Sequence, residues 1–427
     1  MRGGMLKAET RRRFAVVPAR MRRGLPLLVL LMMLAGCGSI LRQEAPPAAL
    51  AEEVPVLGIG NARFWLDASP EPLLRESQLM TERERAALPA GAGGRLPPAN
   101  FLALSGGGDN GAFGAGVMVG WTAAGTRPVF QVVTGISAGA LIAPFAFLGP
   151  AYDDQLRSVF TGLAPRDVLV LPRLFSAGVS LAFGEALADT SPLSAVIARY
   201  ATEEMLAAIA AEYAKGRLLM IGTTNLDLQR PVFWNIGAIA ASGHPDALKL
   251  FRDILLASAS IPGAFPPVLV DVTFAGRSYQ EMHVDGGAAT QVFLYPPSLN
   301  VGQRATPRQR TAWVIRNGRV DVEGSSTTRG IFSIARRSAQ TLLHFSGLSD
   351  INRIYLTTQR DGVGFRVAYI GAEFHADRAE PFDQGYMQAL FDYGYQVGYR
   401  GDRWRDVPSG VGSFSAPPAA GAARARR

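Results

Sequence analysis

Three short stretches of this 427-residue chain hold residue types suited to one kind of chemistry. The first is Gly135-Ile136-Ser137-Ala138-Gly139, a serine with a glycine two positions away on each side. Val132 and Val133 lead in as a short apolar strand, and Ala138 to Leu148 has the composition of a buried helix. That is the strand–turn–helix setting of a G-x-S-x-G nucleophile elbow. Its glycines permit a sharp turn that holds the hydroxyl clear of the backbone, and the following helix favours negative charge at its N-terminus. The second stretch is Gly106-Gly107-Gly108-Asp109-Asn110-Gly111, after the apolar run Phe101 to Leu104. Glycines without side chains can aim N–H groups at one point, so Gly106, Gly107 and Gly108, with Ala138, are candidates for an oxyanion hole. The third is Asp285-Gly286-Gly287, ending a strand over Ser278 to Val284. Asp285 is the candidate base for Ser137, and the two glycines let its loop approach closely. Nucleophile, base and oxyanion donors together describe acyl transfer through an acyl-enzyme.

The elements that must position these loops alternate along the chain. Apolar strands are expected at Phe101 to Leu104, Leu218 to Asn225, Ser278 to Val284, Arg310 to Arg316 and Phe365 to Ile370. Helical spacing marks Ala112 to Ala124, Ser194 to Lys215, Ala247 to Ala257, Ile331 to Phe345 and Asp383 to Tyr399. This alternation predicts an α/β fold, three layers with a mainly parallel central sheet. Such sheets build their sites beyond the carboxyl ends of the strands, where the three loops can converge.

The net charge of +8 is concentrated at the ends. Residues 1–23 hold eight basic side chains against Glu9, giving +7, and Arg424, Arg426 and Arg427 give +3, so the rest carries −2. A body this close to neutral argues against a nucleic-acid partner. Arg22 and Arg23 precede the leucine-rich run Leu25 to Leu34, which is about half the length of a membrane span and reads as the core of a signal peptide. It ends in Leu34-Ala35-Gly36-Cys37, which resembles the bacterial lipoprotein signal. That resemblance implies lipidation of Cys37, the chain's one cysteine, and a lipid-anchored place in the cell envelope. With Gly38 and Ser39 following, it implies the outer membrane in a Gram-negative host. Met21 would start a more compact signal than Met1. The expected organisation is a signal peptide over 1–36, a tether and arm over 37–98, a catalytic domain over 99–408 and a disordered basic tail over 409–427. A single cysteine excludes an internal disulfide framework and a multi-cysteine metal site, and no cofactor is expected.

In the order glycine-rich loop, elbow, Asp-Gly-Gly turn, residues from about 100 to 295 resemble the patatin-like phospholipase family. The segment Ser258 to Pro267 is similar to a further stretch of it. The resemblance implies a Ser137–Asp285 dyad without a catalytic histidine, acting on acyl esters of lipid or phospholipid. Gly111, Gly135, Gly139, Gly286 and Gly287 would support the motifs. Where the family usually has Arg or Lys, this chain has Asn110, so one positive charge near the oxyanion is missing.

Three other readings compete. Gly106, Gly108 and Gly111 fit a dinucleotide fingerprint, but that needs an acidic residue about 20 positions on, and none occurs from Asn110 to Tyr152. A Ser-His-Asp esterase would draw on His344 or His375, with His283 expected as a packed strand residue. A non-catalytic, lipid-anchored envelope binding protein on a degenerate hydrolase fold is the third. Asp109 and Asn110 divide evenly between capping the next helix and a site role, and Ser258 and Ser260 are expected to be structural.

Overall fold

The computed structural model describes residues 42–89, 94–168, 189–304, 308–321, 324 and 326–409. Cys37, the expected signal segment over 1–36 and the tail from residue 410 lie outside them. Among the described residues nine strands form one mixed sheet: β1 (Arg63–Trp65), β2 (Ala99–Leu104), β3 (Val132–Ile136), β4 (Leu218–Asn225), β5 (Arg230–Asn235), β6 (Val268–Phe274), β7 (Arg277–Asp285), β8 (Arg310–Arg319) and β9 (Gly364–Ile370). The main path is β1-β5-β4-β3-β2-β8-β9. Its centre, β4 to β9, is parallel throughout, whereas β1, β5, β6 and β7 pair antiparallel. The parallel strands are apolar because helices cover both faces.

The helices are α1 (Glu71–Ala86), α2 (Gly111–Ala123), α3 (Ala138–Leu148), α4 (Asp153–Thr161), α5 (Ser191–Tyr200), α6 (Glu203–Ala214), α7 (Ile236–Ala241), α8 (Ala247–Ala259), α9 (Ile331–Arg360) and α10 (Gln384–Arg400), besides single turns. On one face α2 packs against α10 almost backbone to backbone: a methyl group on Gly116 would fall 2.1 Å from the Phe391 carbonyl oxygen. On the other face Ala312 and Val314 of β8 pack with Ile351 and Ile354 of α9.

One register detail builds the site. β3 pairs with β4 as far as Ile136 opposite Gly222. From Thr223 on, β7 takes the same edge, with Asp285 opposite Thr223. The hairpin β6–β7 therefore seats Asp285 one step beyond the end of β3, where the chain turns at Ser137.

Three expectations change. Ser194 to Lys215 is two helices, because Thr202 accepts the N–H of Met205 and starts a new one. The helix expected to stop at Phe345 runs on to Arg360, and Gly347 within it lies against the Arg316 guanidinium. The arm before residue 99 is partly built into the domain. Its β1 extends the sheet beside β5, and Arg63 donates to both carboxylate oxygens of Glu281 on β7.

Candidate active site

Ser137 stands between β3 and α3 with φ 55° and ψ −125°, a conformation a serine adopts only under constraint. The turn closes because Gly135 and Gly139 have no side chain. A methyl on the first would lie 2.4 Å from the Gly139 carbonyl oxygen, and one on the second 2.3 Å from that of Leu104. The Ser137 N–H donates to Ser258 Oγ at 3.0 Å, and the Ser258 hydroxyl donates to the Gly222 carbonyl at 2.6 Å. Ser258, expected to be merely structural, thus ties the elbow to β4.

Ser137 Oγ donates to Asp285 Oδ2 at 2.6 Å, while Asp285 Oδ1 accepts the Gly287 N–H at 2.7 Å. Both side chains are buried. Burial pushes the Asp285 carboxyl up to about 6, against the opposing pull of the bonds from Ser137 and Gly287. It is ionised above that pH and more basic than an ordinary aspartate.

The glycine-rich loop passes beside the serine: a methyl on Gly106 would lie 3.1 Å from Ser137 Cβ. The expected role of Gly106 as an oxyanion donor is corrected, because its N–H is already given to the Gln291 carbonyl at 2.9 Å. The N–H groups of Gly107, Gly108 and Ala138 have no acceptor among the described residues. Gly108 adopts φ 59°, which re-aims the loop after Gly107. Gly107 itself lies against Asn317, whose carbonyl oxygen would be 2.2 Å from a methyl group there.

Neither rival role proposed for the loop's polar residues describes them fully. Asn110 occupies the position before α2 but makes no capping bond; its Oδ1 accepts the Tyr386 hydroxyl of α10 at 2.7 Å. The buried Asp109 pairs with Arg378 at 2.7 Å and accepts the Phe382 N–H at 3.0 Å. Burial raises its carboxyl, opposed by Arg378 and these backbone bonds. A guanidinium therefore reaches the loop from residue 378, matched by the Asp109 carboxylate. Gly111 abuts Ala138, and Gly286 abuts the Gly222 carbonyl.

Three supporting residues escape sequence reasoning: Gln291, Asn317 and Asp350. Asn317, at the end of β8, donates its backbone N–H to Ser105 Oγ and its amide to the Ser105 carbonyl, and accepts the Gly114 N–H of α2. Asp350, buried on α9, accepts from the Thr290 hydroxyl at 2.8 Å and the Gln291 N–H at 2.6 Å. Gln291 in turn donates its side-chain amide to the Gly287 carbonyl. Gln291 thereby holds both the glycine-rich loop and the Asp285 turn. No local pattern announces these contacts, since all but the Gln291–Gly287 bond join segments far apart in sequence.

The histidines are placed elsewhere. His283 is fully buried between Thr223 and Glu281. Thr223 Oγ1 accepts from the Trp234 indole, leaving its proton for His283 Nδ1, so Nε2–H donates to Glu281. Burial lowers its pKa and keeps it neutral, although Glu281 favours the charged form. His344 lies in α9, its carbonyl bonded to Arg316, and His375 is exposed on a loop. Ser137 Oγ bonds to Asp285 and to none of them. Among the described residues no group of three or more His, Cys, Asp or Glu side chains could hold a metal ion.

Residues 102–295 match the family model for patatin-like phospholipase. This segment is a patatin-like phospholipase domain. The match takes in all three motifs and ends before β8. Among solved structures, the chain is similar to VipD from Legionella pneumophila, at 11% identity over 72% of this chain and 67% of that one, with a TM-score of 0.35. It is also similar to human GIVD cytosolic phospholipase A2, at 13% identity over 76% of this chain and 53% of that one, with a TM-score of 0.30. It thus spans about half the length of the human enzyme. Comparison with curated proteins gives no significant match. The family match supports lipid acyl hydrolysis as the activity of the patatin-like domain.

Proposed function

We propose that the chain is a serine acyl hydrolase that cleaves carboxylic ester bonds of phospholipids, in the manner of a phospholipase A, with Ser137 as nucleophile and Asp285 as its base. The observation that carries this reading is the 2.6 Å bond from Ser137 Oγ to a buried Asp285 whose carboxyl is lifted to about 6. Above that pH the carboxylate takes the hydroxyl proton as Oγ attacks the ester carbonyl. The oxygen then becomes negative where the N–H groups of Gly107, Gly108 and Ala138 have no other acceptor. Losing one such donor costs on the order of 2.7–4 kcal/mol of transition-state stabilisation. Asp285 returns the proton to the departing alkoxide, leaving an ester on Ser137. It then deprotonates the water that hydrolyses this acyl-enzyme.

The sequence around Cys37 supports a lipid-anchored enzyme of the bacterial envelope, at the outer membrane in a Gram-negative host. Such an anchor would hold the site at its substrate.

Ser137→Ala and Asp285→Asn are each expected to lose at least about 10³-fold in turnover of a short p-nitrophenyl ester while circular dichroism stays native. Wild-type turnover by either variant would overturn the dyad. Product profiling on mixed phospholipids, wild type against Ser137→Ala, would identify the bond cut. Release of no fatty acid from any phospholipid would reject the substrate class.

A further inference from the structure

The long helix α9 changes character along its length. From Gly347 onward it packs on the sheet, burying Asp350, Ile351 and Ile354. Over residues 331–346 the helix is unbroken, yet none of its described side chains is buried. Ile331, Ile334, Leu342 and Phe345 are 78%, 53%, 72% and 58% exposed. At 3.6 residues per turn these four lie within roughly 40° of one line along the helix, on the side opposite Gly347, Ile351 and Ile354. Four large apolar side chains in one outward stripe, with Leu343, 40% exposed, on the other side, are the mark of an interaction surface.

Its place in the fold says which surface. α9 links β8 to the parallel β9, so it runs back along them with its N-terminal half at their carboxyl ends. Its 30 residues are about 45 Å long, against roughly 33 Å for the 10 residues of β8, so it overshoots the sheet. The overshoot begins where Arg316, next to Asn317, bonds to the His344 carbonyl. The N-terminal half therefore projects on the side of Ser137 and the glycine-rich loop. Its charge is one-sided: Arg329, Arg336 and Arg337 are present, and no Asp or Glu occurs from Gly324 to Ser349. Among the described residues no helix is long and apolar enough to cross a membrane.

We propose that residues 331–345 form an interfacial helix that lies in an anionic lipid surface, with the apolar stripe among the acyl chains and the arginines at the headgroups. This rests on the reading of membrane lipid as substrate. It gives the enzyme a docking element that turns the carboxyl-end face, and so the dyad, toward the bilayer.

The test uses the full chain with Cys37→Ser and a single new cysteine, Leu342→Cys on the stripe or Gln340→Cys on the opposite side, labelled with an environment-sensitive fluorophore. Vesicles of phosphatidylcholine with phosphatidylglycerol should blue-shift the label at 342, and a lipid-borne quencher should reach it, while the label at 340 stays unchanged. High salt should weaken the response. Adding Phe345→Glu should cut vesicle binding by roughly tenfold or more, with turnover of a dissolved p-nitrophenyl ester unaltered. No shift at 342, or equal shifts at both positions, overturns the proposal. So does a shift without vesicles that grows with protein concentration, since a second copy then covers the stripe. Dissolved-ester turnover by the same preparation reports separately on the hydrolase reading. A shift without turnover keeps the docking helix and rejects the hydrolase; turnover without a shift does the reverse.

Discussion

The proposed mechanism asks Asp285 to act as a base, and burial raises its basicity. An ordinary aspartate near 3.9 would take a serine proton poorly, and lifting the carboxyl to about 6 narrows that gap. The kcat/KM for a dissolved ester is therefore expected to rise with pH through a single ionisation near 6. A pH profile flat from 5 to 8 would contradict this. The same shift weakens the fold. The folded value is raised above that of an ordinary aspartate, about 3.9, so the contribution to stability is fully present below that pH and is lost as pH rises through about 6. At neutral pH this amounts to about 3 kcal/mol. Asp285→Asn keeps the shape and an acceptor for the Gly287 N–H, so it should melt several degrees above wild type at pH 7.5 while being inactive. The difference should vanish toward pH 4, as thermal scans across pH would show.

At the scale of elements, the three motif loops are placed by strand ends and by helices that do no chemistry. Asn317 shows the division of labour: it gives α2 an acceptor for the Gly114 N–H and holds both polar groups of Ser105. Asn317→Ala would orphan buried backbone groups, costing about 2–4 kcal/mol in denaturant unfolding. With the loop serving the transition state as proposed, it should lower kcat far more than it raises KM. An unchanged kcat would place Asn317 outside the machinery. The elbow, the glycine loop and the Asp285 turn were legible because their glycines sit a few residues from the functional atom. The Ser258 bond to the elbow was not, since a hydroxyl that meets a backbone N–H 121 positions away leaves no local pattern. The break at Thr202 was legible in principle, as an N-cap followed by two glutamates, but the apolar periodicity on either side runs through it.

The whole molecule is larger than its catalytic motifs suggest. The arm joins the sheet through β1, and Arg63 links it to the hairpin carrying Asp285. A three-residue edge strand is too short to stand out in sequence, and α1 had no motif to mark it. Past residue 295, β8 inserts beside β2 in the centre of the sheet, and α9 supplies Asp350. A fragment ending at residue 300 would keep Ser137 and Asp285 yet lack Asn317 and Asp350. It should neither hydrolyse a soluble ester nor show a cooperative melt, and complementation by the missing piece should restore both. Asn317 lies 212 residues after the Ser105 it holds, which has a consequence for the order of synthesis. A ribosome will have made all three motifs well before it makes the strand and helix that align them. On the proposed function, the activity toward lipid would therefore arise only once β8 and α9 have been made and folded.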